Sequence, residues 1–341
     1  MKFKNLDSVA SRQRLIAALL ALMSIQVFYC VAHGATLNRI RMSYPALSGA
    51  VTPLWVAKDM GFFEKQGLDV DLVLIQSGPR SVSTMLSGEM GIINTGANSA
   101  IAANLGGAKD VVLIASLFNT LVFSVIAKPE IADVNALRGK TLGVTQTGSL
   151  SDFTARLVLS RAGLNPNRDV TLLPTGDYTG MLISLRKGSI DAGVMSAPTT
   201  LQAKKLNFRE ILDVGGIGIE FAGTSIATTR GFIREAPGTV RAVVAAIVQA
   251  IHFMKTDKEG SIKVLARWTK SRDREVLEEL YNTYATKHLP RVPSPTLGGV
   301  KAVLETLSDR IPKAGTADPK EFIDDRFVRE LVDSGFVKNL Y

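Results

Sequence analysis

The sequence predicts an α/β fold of two similarly built halves, followed by a helical C-terminal region. From residue 39 to about residue 216, short apolar strands alternate with amphipathic helices, which is typical of a parallel α/β sheet. Residues 85–92 resemble residues 185–193, since both segments combine a helix end, a glycine and a short strand. A chain of 341 residues also favours two domains over one large core.

Ten short apolar runs are the candidate strands. Each has a length typical of strands, and turn-forming residues separate it from its neighbours. The predicted strands cover residues 40–44, 69–75, 90–94, 111–116, 123–127, 141–144, 170–173, 192–195, 210–213 and 225–229.

The helices between these strands carry start and stop signals. Hydroxyl, carboxylate or proline residues suit a helix start, and glycine suits the residue after a helix end. The predicted starts lie at Thr52, Pro79, Ser149, Asp177 and Ser196, and predicted ends lie at Gly61, Gly88, Gly163 and Gly188. Ser149 and Asp152 have the spacing of a capping box.

The last third of the chain reads as helices. Residues 237–254 form a long helix with a continuous apolar stripe, and the proline-rich residues 289–295 form a loop. Further helices are predicted at residues 261–269, 274–286, 297–308 and 319–331.

The first 34 residues have the pattern of a secretory signal peptide. Four basic residues precede the apolar run 15–32, and Ala32, His33 and Gly34 supply a small-x-small cleavage signal. We expect export with cleavage; an uncleaved membrane anchor is the alternative. No later segment is expected to cross a bilayer.

The composition of the mature chain limits which chemistry and which binding partners are possible. The single cysteine, Cys30, lies in the signal segment, so the mature chain offers no thiolate for catalysis or metal binding. The signal carries four Lys/Arg and one Asp, so its removal lowers the formal charge from +9 to +6. This charge favours an anionic solute, whereas the scattered basic residues argue against nucleic acid as a partner.

Small polar residues recur where the predicted strands end and helices begin. Ligands of open parallel sheets bind beyond the carboxyl ends of the strands, and helix N-termini bind anions. The candidates are Ser43, Ser48, Gly49, Ser77, Gly78, Asn94, Thr95, Gly96, Thr145, Thr147, Gly148, Ser149, Asp177 and Ser196. The alternative for each of them is that it only caps its own helix.

Two charged residues are additional candidates. Arg80 lies in a first helical turn, where a cation opposes the helix dipole, so it either contacts an anion or partner or faces solvent. Asp177 either accepts a hydrogen bond from a ligand amine or hydroxyl or only caps its helix.

Catalytic motifs are missing from the sequence. The mature chain has only His252 and His288, both in the helical C-terminal region, and no strand is followed by a nucleophile elbow, a phosphate loop or a dinucleotide-binding turn. We therefore expect a non-enzyme without cofactor or metal.

Four segments resemble the nitrate/sulfonate/taurine-type solute-binding family of ABC importers. Residues 48–70 read SGAVTPLWVAKDMGFFEKQGLDV, and 137–144 read LRGKTLGV. Residues 159–165 read LSRAGLN, and 185–192 read LRKGSIDA. They occur in the family's order but cover less than half of the chain.

The resemblance implies a type II periplasmic-binding fold. Lobe one would combine residues 35–121 with 224–341, and lobe two would span residues 122–223. Strands near residues 123–127 and 225–229 would cross between the lobes as a hinge. The family's cleft, transferred to matching positions, adds Asn119 and Thr120 to the ligand-binding candidates. The sequence departs from the family at Gly91, where the family often has Asp.

The resemblance also implies a function. A monomer in the periplasm would close over a small polar, anionic solute and deliver it to an ABC transporter permease at the inner membrane. Two alternatives are a thiamine-pyrimidine synthase on the same scaffold, which needs a histidine, a lysine and a cysteine-rich motif, and a periplasmic ligand sensor or adhesin-like partner protein.

Overall fold

Two five-stranded sheets form the framework of the computed structural model, which describes residues 37–341. The predicted signal peptide, residues 1–34, lies outside the described residues. The strands are β1 Asn38–Tyr44, β2 Leu68–Leu74, β3 Ile92–Gly96, β4 Val111–Ser116, β5 Ser124–Ala127, β6 Thr141–Val144, β7 Thr171–Pro174, β8 Ala192–Met195, β9 Arg209–Asp213 and β10 Thr224–Thr229. Each predicted strand is found, within two residues at either end.

The two sheets have the same layout. Sheet A has the order β2-β1-β3-β10-β4, and sheet B has the order β7-β6-β8-β5-β9. Strand β1 pairs parallel with β3, and β6 pairs parallel with β7 and β8. The layout explains why residues 85–92 and 185–193 look alike, since each segment leads into the middle strand of its sheet.

One strand in each sheet is antiparallel to its neighbours, a direction that the alternation of strands and helices did not indicate. Strand β10 is antiparallel to β3 and β4, and β5 is antiparallel to β8 and β9. Both strands arrive from the other sheet, because β5 follows β4 and β10 follows β9 without an intervening α-helix. A strand that enters its sheet at the end where the neighbouring strands finish must run in the opposite direction.

Seven helices lie between the strands: α1 Thr52–Asp59, α2 Phe62–Lys65, α3 Gly78–Leu86, α4 Ala97–Leu105, α5 Leu150–Arg161, α6 Tyr178–Arg186 and α7 Thr199–Lys205. Ser149 and Asp177 cap α5 and α6 by accepting a first-turn backbone N–H, as predicted, and Ser77, two residues before the predicted start at Pro79, caps α3 in the same way. Thr52 instead lies inside α1, and its hydroxyl donates to the carbonyl of Gly49 at 2.7 Å.

The C-terminal region is helical but less regular than predicted. It contains α8 Arg230–Glu235, α9 Pro237–Thr256, α10 Lys258–Thr269, α11 Arg274–Tyr281, the π-helix Asn282–His288, α12 Leu297–Ser308 and α13 Arg326–Asp333. The predicted helix 274–286 thus continues as a π-helix. The predicted helix 319–331 is interrupted, because Ile323 pairs with Leu113 at the edge of sheet A and separates the 3-10 helix Pro319–Phe322 from α13.

By length and composition alone, helix α9 could cross a membrane. However, 61% of its most apolar 18-residue stretch is buried inside the protein. It packs against α1, beneath sheet A. Its apolar stripe therefore belongs to the core of the fold.

We call sheet A with α1–α4 and the C-terminal helices half A, and sheet B with α5–α7 half B. From Arg39 to Tyr341 the chain is one compact unit, so the two halves touch along a shared face. Trp55 belongs to the core of half A, where it is fully buried and stacks on Trp268 with ring centroids 5.4 Å apart.

Candidate functional site

A cavity of about 90 Å³ lies between the two halves. Sites for drug-sized ligands span about 300–1,000 Å³, so this cavity suits a solute of only a few non-hydrogen atoms. The cavity lies at the carboxyl ends of strands from both sheets, which is where open α/β sheets bind ligands.

Half A contributes two turns to the wall. The turn after β1 supplies Leu47 and Ser48, and the turn before α3 supplies Gln76, Ser77 and Gly78. The hydroxyl of Ser48 accepts the N–H of Ala50 at 3.3 Å, and that of Ser77 accepts the N–H of Arg80 at 3.3 Å. Helix capping therefore holds both turns in place.

Half B contributes a cluster of three hydroxyls. The side-chain oxygen of Thr145 lies 2.9 Å from those of Ser149 and Ser151, which are 3.0 Å from each other. All three residues line the cavity together with Leu150. Leu150 and Ser151 form the first turn of α5, whose N–H groups have no acceptor within the helix. This wall thus offers hydrogen-bond donors and the positive end of a helix dipole.

Asp177 supplies a negatively charged hydrogen-bond acceptor, in contrast to the donors of α5. One carboxylate oxygen accepts the N–H of Gly180 at 2.7 Å, and the other accepts the side-chain amide of Gln76 in half A at 2.9 Å. Among the lining residues Asp177 alone is charged, and none is Lys, Arg or His. The cavity therefore combines donors from α5 with one carboxylate acceptor.

Six of the residues predicted from the sequence as ligand contacts line the cavity. They are Ser48, Ser77, Gly78, Gly96, Ser149 and Asp177. Thr145, which the sequence also indicated, joins them.

Ten other candidates lie outside this lining, including the buried Ser43 and the exposed Thr147. Arg80 is exposed to solvent, and Thr95 is buried with its hydroxyl unpaired within the described part of the chain. The side-chain amides of Asn94 and Asn119 donate to the carbonyls of Ser225 and Ser294, respectively.

The remaining four lie beside the cavity. The hydroxyl of Thr120 is buried, and the carbonyl of Gly148 accepts hydrogen bonds from Asn98 and Ser99. Gly49 and Ser196 take part in contacts between the halves instead. Contact of any of these ten residues with a solute stays a prediction.

Six polar residues line the cavity without having been singled out in the sequence: Gln76, Ser151, Tyr178, Thr179, Thr199 and Thr224. All but Thr224 lie next to a helix cap: Gln76 directly precedes one, and the other four lie in first helical turns. The signal that could have found these five is position next to a cap rather than the cap itself. Burial raises the pKa of Tyr178, which keeps its hydroxyl protonated as a donor.

The part of the chain that the structure describes has no candidate metal site. Residues 37–341 contain no group of three or more His, Cys, Asp or Glu side chains that could hold an ion.

Comparisons with known proteins agree with this architecture. A candidate binding protein of Bacillus subtilis (strain 168), YtlA, is 23% identical over 305 residues, which cover 88% of this chain and 91% of that protein. The alkanesulfonate-binding protein SsuA from Xanthomonas axonopodis pv. citri, solved with bound MOPS, superposes with a TM-score of 0.69. It is 20% identical, and the match covers 87% of this chain and 98% of that one.

An enzyme shares the fold as well. The desulfurization enzyme DSZB superposes with a TM-score of 0.64 at 14% identity, over 87% of this chain and 99% of that one. At such identities the likeness establishes the fold alone, and that fold is the type II periplasmic-binding-protein fold, as predicted.

The family model described as NMT1/THI5 like matches residues 48–260. This match spans more than half of the chain and includes all four segments that carry the sequence resemblance. The chain therefore belongs to the NMT1/THI5-like family.

Proposed function

We propose that this protein is the solute-binding component of an ABC importer, which captures a small polar solute between its halves and delivers it to a membrane permease. The observation that carries the proposal is the small cavity whose wall is built from helix starts of both halves. The binding proteins YtlA and SsuA among its relatives support a binding role.

The two halves act as lobes in this proposal. Residues 122–223 form one lobe, residues 35–121 and 224–341 form the other, and the connections from β4 to β5 and from β9 to β10 are the hinge. A solute that contacts both lobes favours the closed arrangement by its extra affinity for it, and the permease accepts that arrangement.

The lining indicates a solute with two kinds of polar group. The first turn of α5 and its three hydroxyls suit an anionic or acceptor group, whereas Asp177 suits an amine or hydroxyl. A simple inorganic anion would meet the Asp177 carboxylate with no basic side chain among the lining residues to offset it. We therefore propose a small bipolar or polar neutral solute with an acidic or acceptor end.

The protein works outside the cytoplasm in this proposal. The predicted signal peptide in residues 1–34 and the periplasmic binding proteins that share the fold support the periplasm as its location. Its permease partner is then at the inner membrane.

The likeness to DSZB makes an enzyme the second candidate. A synthase of the kind considered from the sequence needs histidine, lysine and cysteine, and none of the cavity-lining residues is of these types. The binding role fits these residues better.

A thermal-shift screen of the purified protein tests the proposed function. The panel contains nitrate, alkanesulfonates, taurine, small carboxylates and small amines. A ligand present at 100 times its dissociation constant stabilises the folded state by about 2.7 kcal/mol. A bipolar or neutral member of the panel should raise the melting temperature most. Turnover of a panel member without tight binding would favour the enzyme instead.

The variant Asp177→Asn tests the solute chemistry. Asparagine caps a helix as well as aspartate does, so the melting temperature without solute should stay unchanged. Loss of the charged acceptor should weaken binding of an amine-bearing hit about tenfold or more, measured by calorimetry. The control is Asp257→Asn, since Asp257 caps α10 in the same way but lies exposed, away from the cavity. Equal affinities in both variants would remove Asp177 from the solute site.

A further inference from the structure

A buried group of hydroxyls joins the two halves beside the cavity. The Ser196 hydroxyl donates to the Ser48 hydroxyl at 2.9 Å. The Tyr284 hydroxyl lies beside both serines and the backbone of Ala197, and burial raises its pKa. One backbone hydrogen bond crosses at the same place, from the N–H of Gly49 to the carbonyl of Ala197 at 3.2 Å.

These groups come from opposite halves. Ser48 follows β1 and Tyr284 lies in the π-helix, both in half A, whereas Ser196 and Ala197 follow β8 in half B. The exposed fractions of Ser48, Ser196 and Tyr284 are only 4%, 3% and 1%. The hydrogen bond between the two serines therefore requires that the halves be together, and it forms beside the Tyr284 hydroxyl where little water competes.

The π-helix holds Tyr284 in position. The Lys255 ammonium donates to the carbonyl of Ala285 at 2.6 Å, next to Tyr284 in the chain. The ring of Phe118 meets the Tyr284 ring edge-on with centroids 5.7 Å apart. π-helices are rare and occur often at functional sites, because the extra residue changes the direction of a side chain. Here the segment places a tyrosine between the halves.

We propose that Ser48, Ser196 and Tyr284 form a latch that stabilises the closed arrangement by itself, in the absence of solute. The latch rests on the proposed function only in that closure is what captures the solute. Ser48 also lines the cavity, so Tyr284 is a positioning residue that acts on the solute site through Ser48. An intrinsic latch raises the population of the binding-competent state and so raises the apparent affinity for any solute.

Distances between the halves without any solute test this latch. Ser87 and Lys187, both exposed, follow the ends of α3 in half A and of α6 in half B. Spin labels on cysteines at these two positions, with Cys30→Ser in the same chain, report the separation of the halves by pulsed electron resonance. The unlatched variants are Ser196→Ala and Tyr284→Phe, which remove one hydroxyl each.

Two matched variants remove buried hydroxyls that bond within half A. Tyr281→Phe loses the hydrogen bond to the carbonyl of Met254 at 2.9 Å, and Ser261→Ala loses the hydrogen bond to the carbonyl of Asp257 at 2.8 Å. These controls should lower the melting temperature as the latch variants do, but should leave the label distances unchanged.

The latch predicts a closed population in the unliganded wild type. Ser196→Ala and Tyr284→Phe should reduce the ratio of closed to open molecules about tenfold each, as expected for the loss of one buried hydrogen bond. A wild type that is wholly open without solute, or latch variants with the wild-type distances, would overturn it. Neither result depends on finding a solute, so failure of the latch is separable from failure of the proposed function.

Discussion

Glycine at position 49 is required by a neighbouring ring. A Cβ atom at this position would lie 2.1 Å from the Cδ2 atom of Tyr284. The space that glycine leaves lets the tyrosine ring reach the interface between the halves. The sequence predicts a ligand contact at Gly49, because glycine lets a ligand approach the backbone; in the structure a side chain of the protein itself occupies that space.

Gly49→Ala should therefore destabilise the fold. Overpacking a filled site costs about 1–3 kcal/mol of unfolding free energy, which urea denaturation measures. The control is Gly238→Ala in the first turn of α9, where an added Cβ would meet no atom within 4 Å. That variant should be neutral or slightly stabilising, because alanine is the better helix former. Equal stability of both variants would show that the Tyr284 ring moves aside at little cost.

At the residue scale, the helix starts were predictable and the side-chain pairs were not. Ser77, Ser149 and Asp177 precede helices whose local pattern is complete within a few residues, so the sequence locates them. Ser48 and Ser196 were expected to contact the solute, yet their hydroxyls bond to each other across 148 residues of chain. A pair of that kind depends on how the halves close, which no local pattern encodes.

At the scale of elements, the two sheets share a layout but differ at one matching position. Gly88 and Gly188 both end a helix with positive φ, of 83° and 75°. Three residues later half A has Gly91 and half B has Asp191. A Cβ at Gly91 would lie 2.2 Å from the Phe232 ring, so α8 excludes the aspartate there. The departure from the family pattern at Gly91 thus has a packing cause.

Asp191 secures the entry to β8. Its carboxylate accepts hydrogen bonds from the Lys128 ammonium at 2.7 Å and from the N–H of Thr141 at 2.9 Å. Burial opposes ionisation, but these hydrogen bonds outweigh it and hold the pKa of Asp191 below its usual value. A carboxylate with a lowered folded-state pKa stabilises the fold above its unfolded pKa of about 3.9, and this stabilisation is lost as the pH falls through the folded pKa.

Asp191→Asn should lower the unfolding free energy by about 1.5–3 kcal/mol at pH 7, the usual value of hydrogen bonds to a charged group. The difference from wild type should shrink as the pH falls below about 4, because Asp191 of the unfolded wild-type chain then takes up a proton while the folded carboxylate stays ionised until its own lower pKa. Urea unfolding at pH 7, 5 and 3.5 measures both effects. The exposed Asp309→Asn is the control and should follow wild type throughout. A pH-independent difference would contradict the ionised hydrogen bonds.

The positions of helices and strands could be predicted from periodicity and caps. The direction of two strands and the interruption of one helix could not. The strands at residues 123–127 and 225–229 were located, yet their antiparallel direction follows from the path of the chain between the sheets. The helix predicted at 319–331 is interrupted because the N–H of Asp324 donates to the carbonyl of Leu113 at 2.8 Å. Both features depend on a distant partner strand.

At the scale of the whole molecule, ion pairs connect the halves around the buried latch. The Lys205 ammonium of half B lies 2.6 Å from Asp273 and 3.0 Å from Glu275 of half A. Lys287 of half A lies 3.6 Å from Asp213 of half B. These side chains are largely exposed, so their attraction is weakened by salt, whereas the buried hydroxyls are screened far less.

Closure should therefore have a salt-dependent part, most of it at Lys205. In protein labelled at positions 87 and 187, Lys205→Met should reduce the ratio of closed to open molecules about two- to threefold at about 0.05 M NaCl. Wild type and variant should converge at about 0.5 M NaCl, where the ion pairs are screened. Lys258→Met is the control, because Lys258 lies 3.9 Å from Glu278 within half A and its loss should leave the distances unchanged. If Lys205→Met opened the halves equally at both salt concentrations, Lys205 would act through packing, and the latch would carry closure without help from charge.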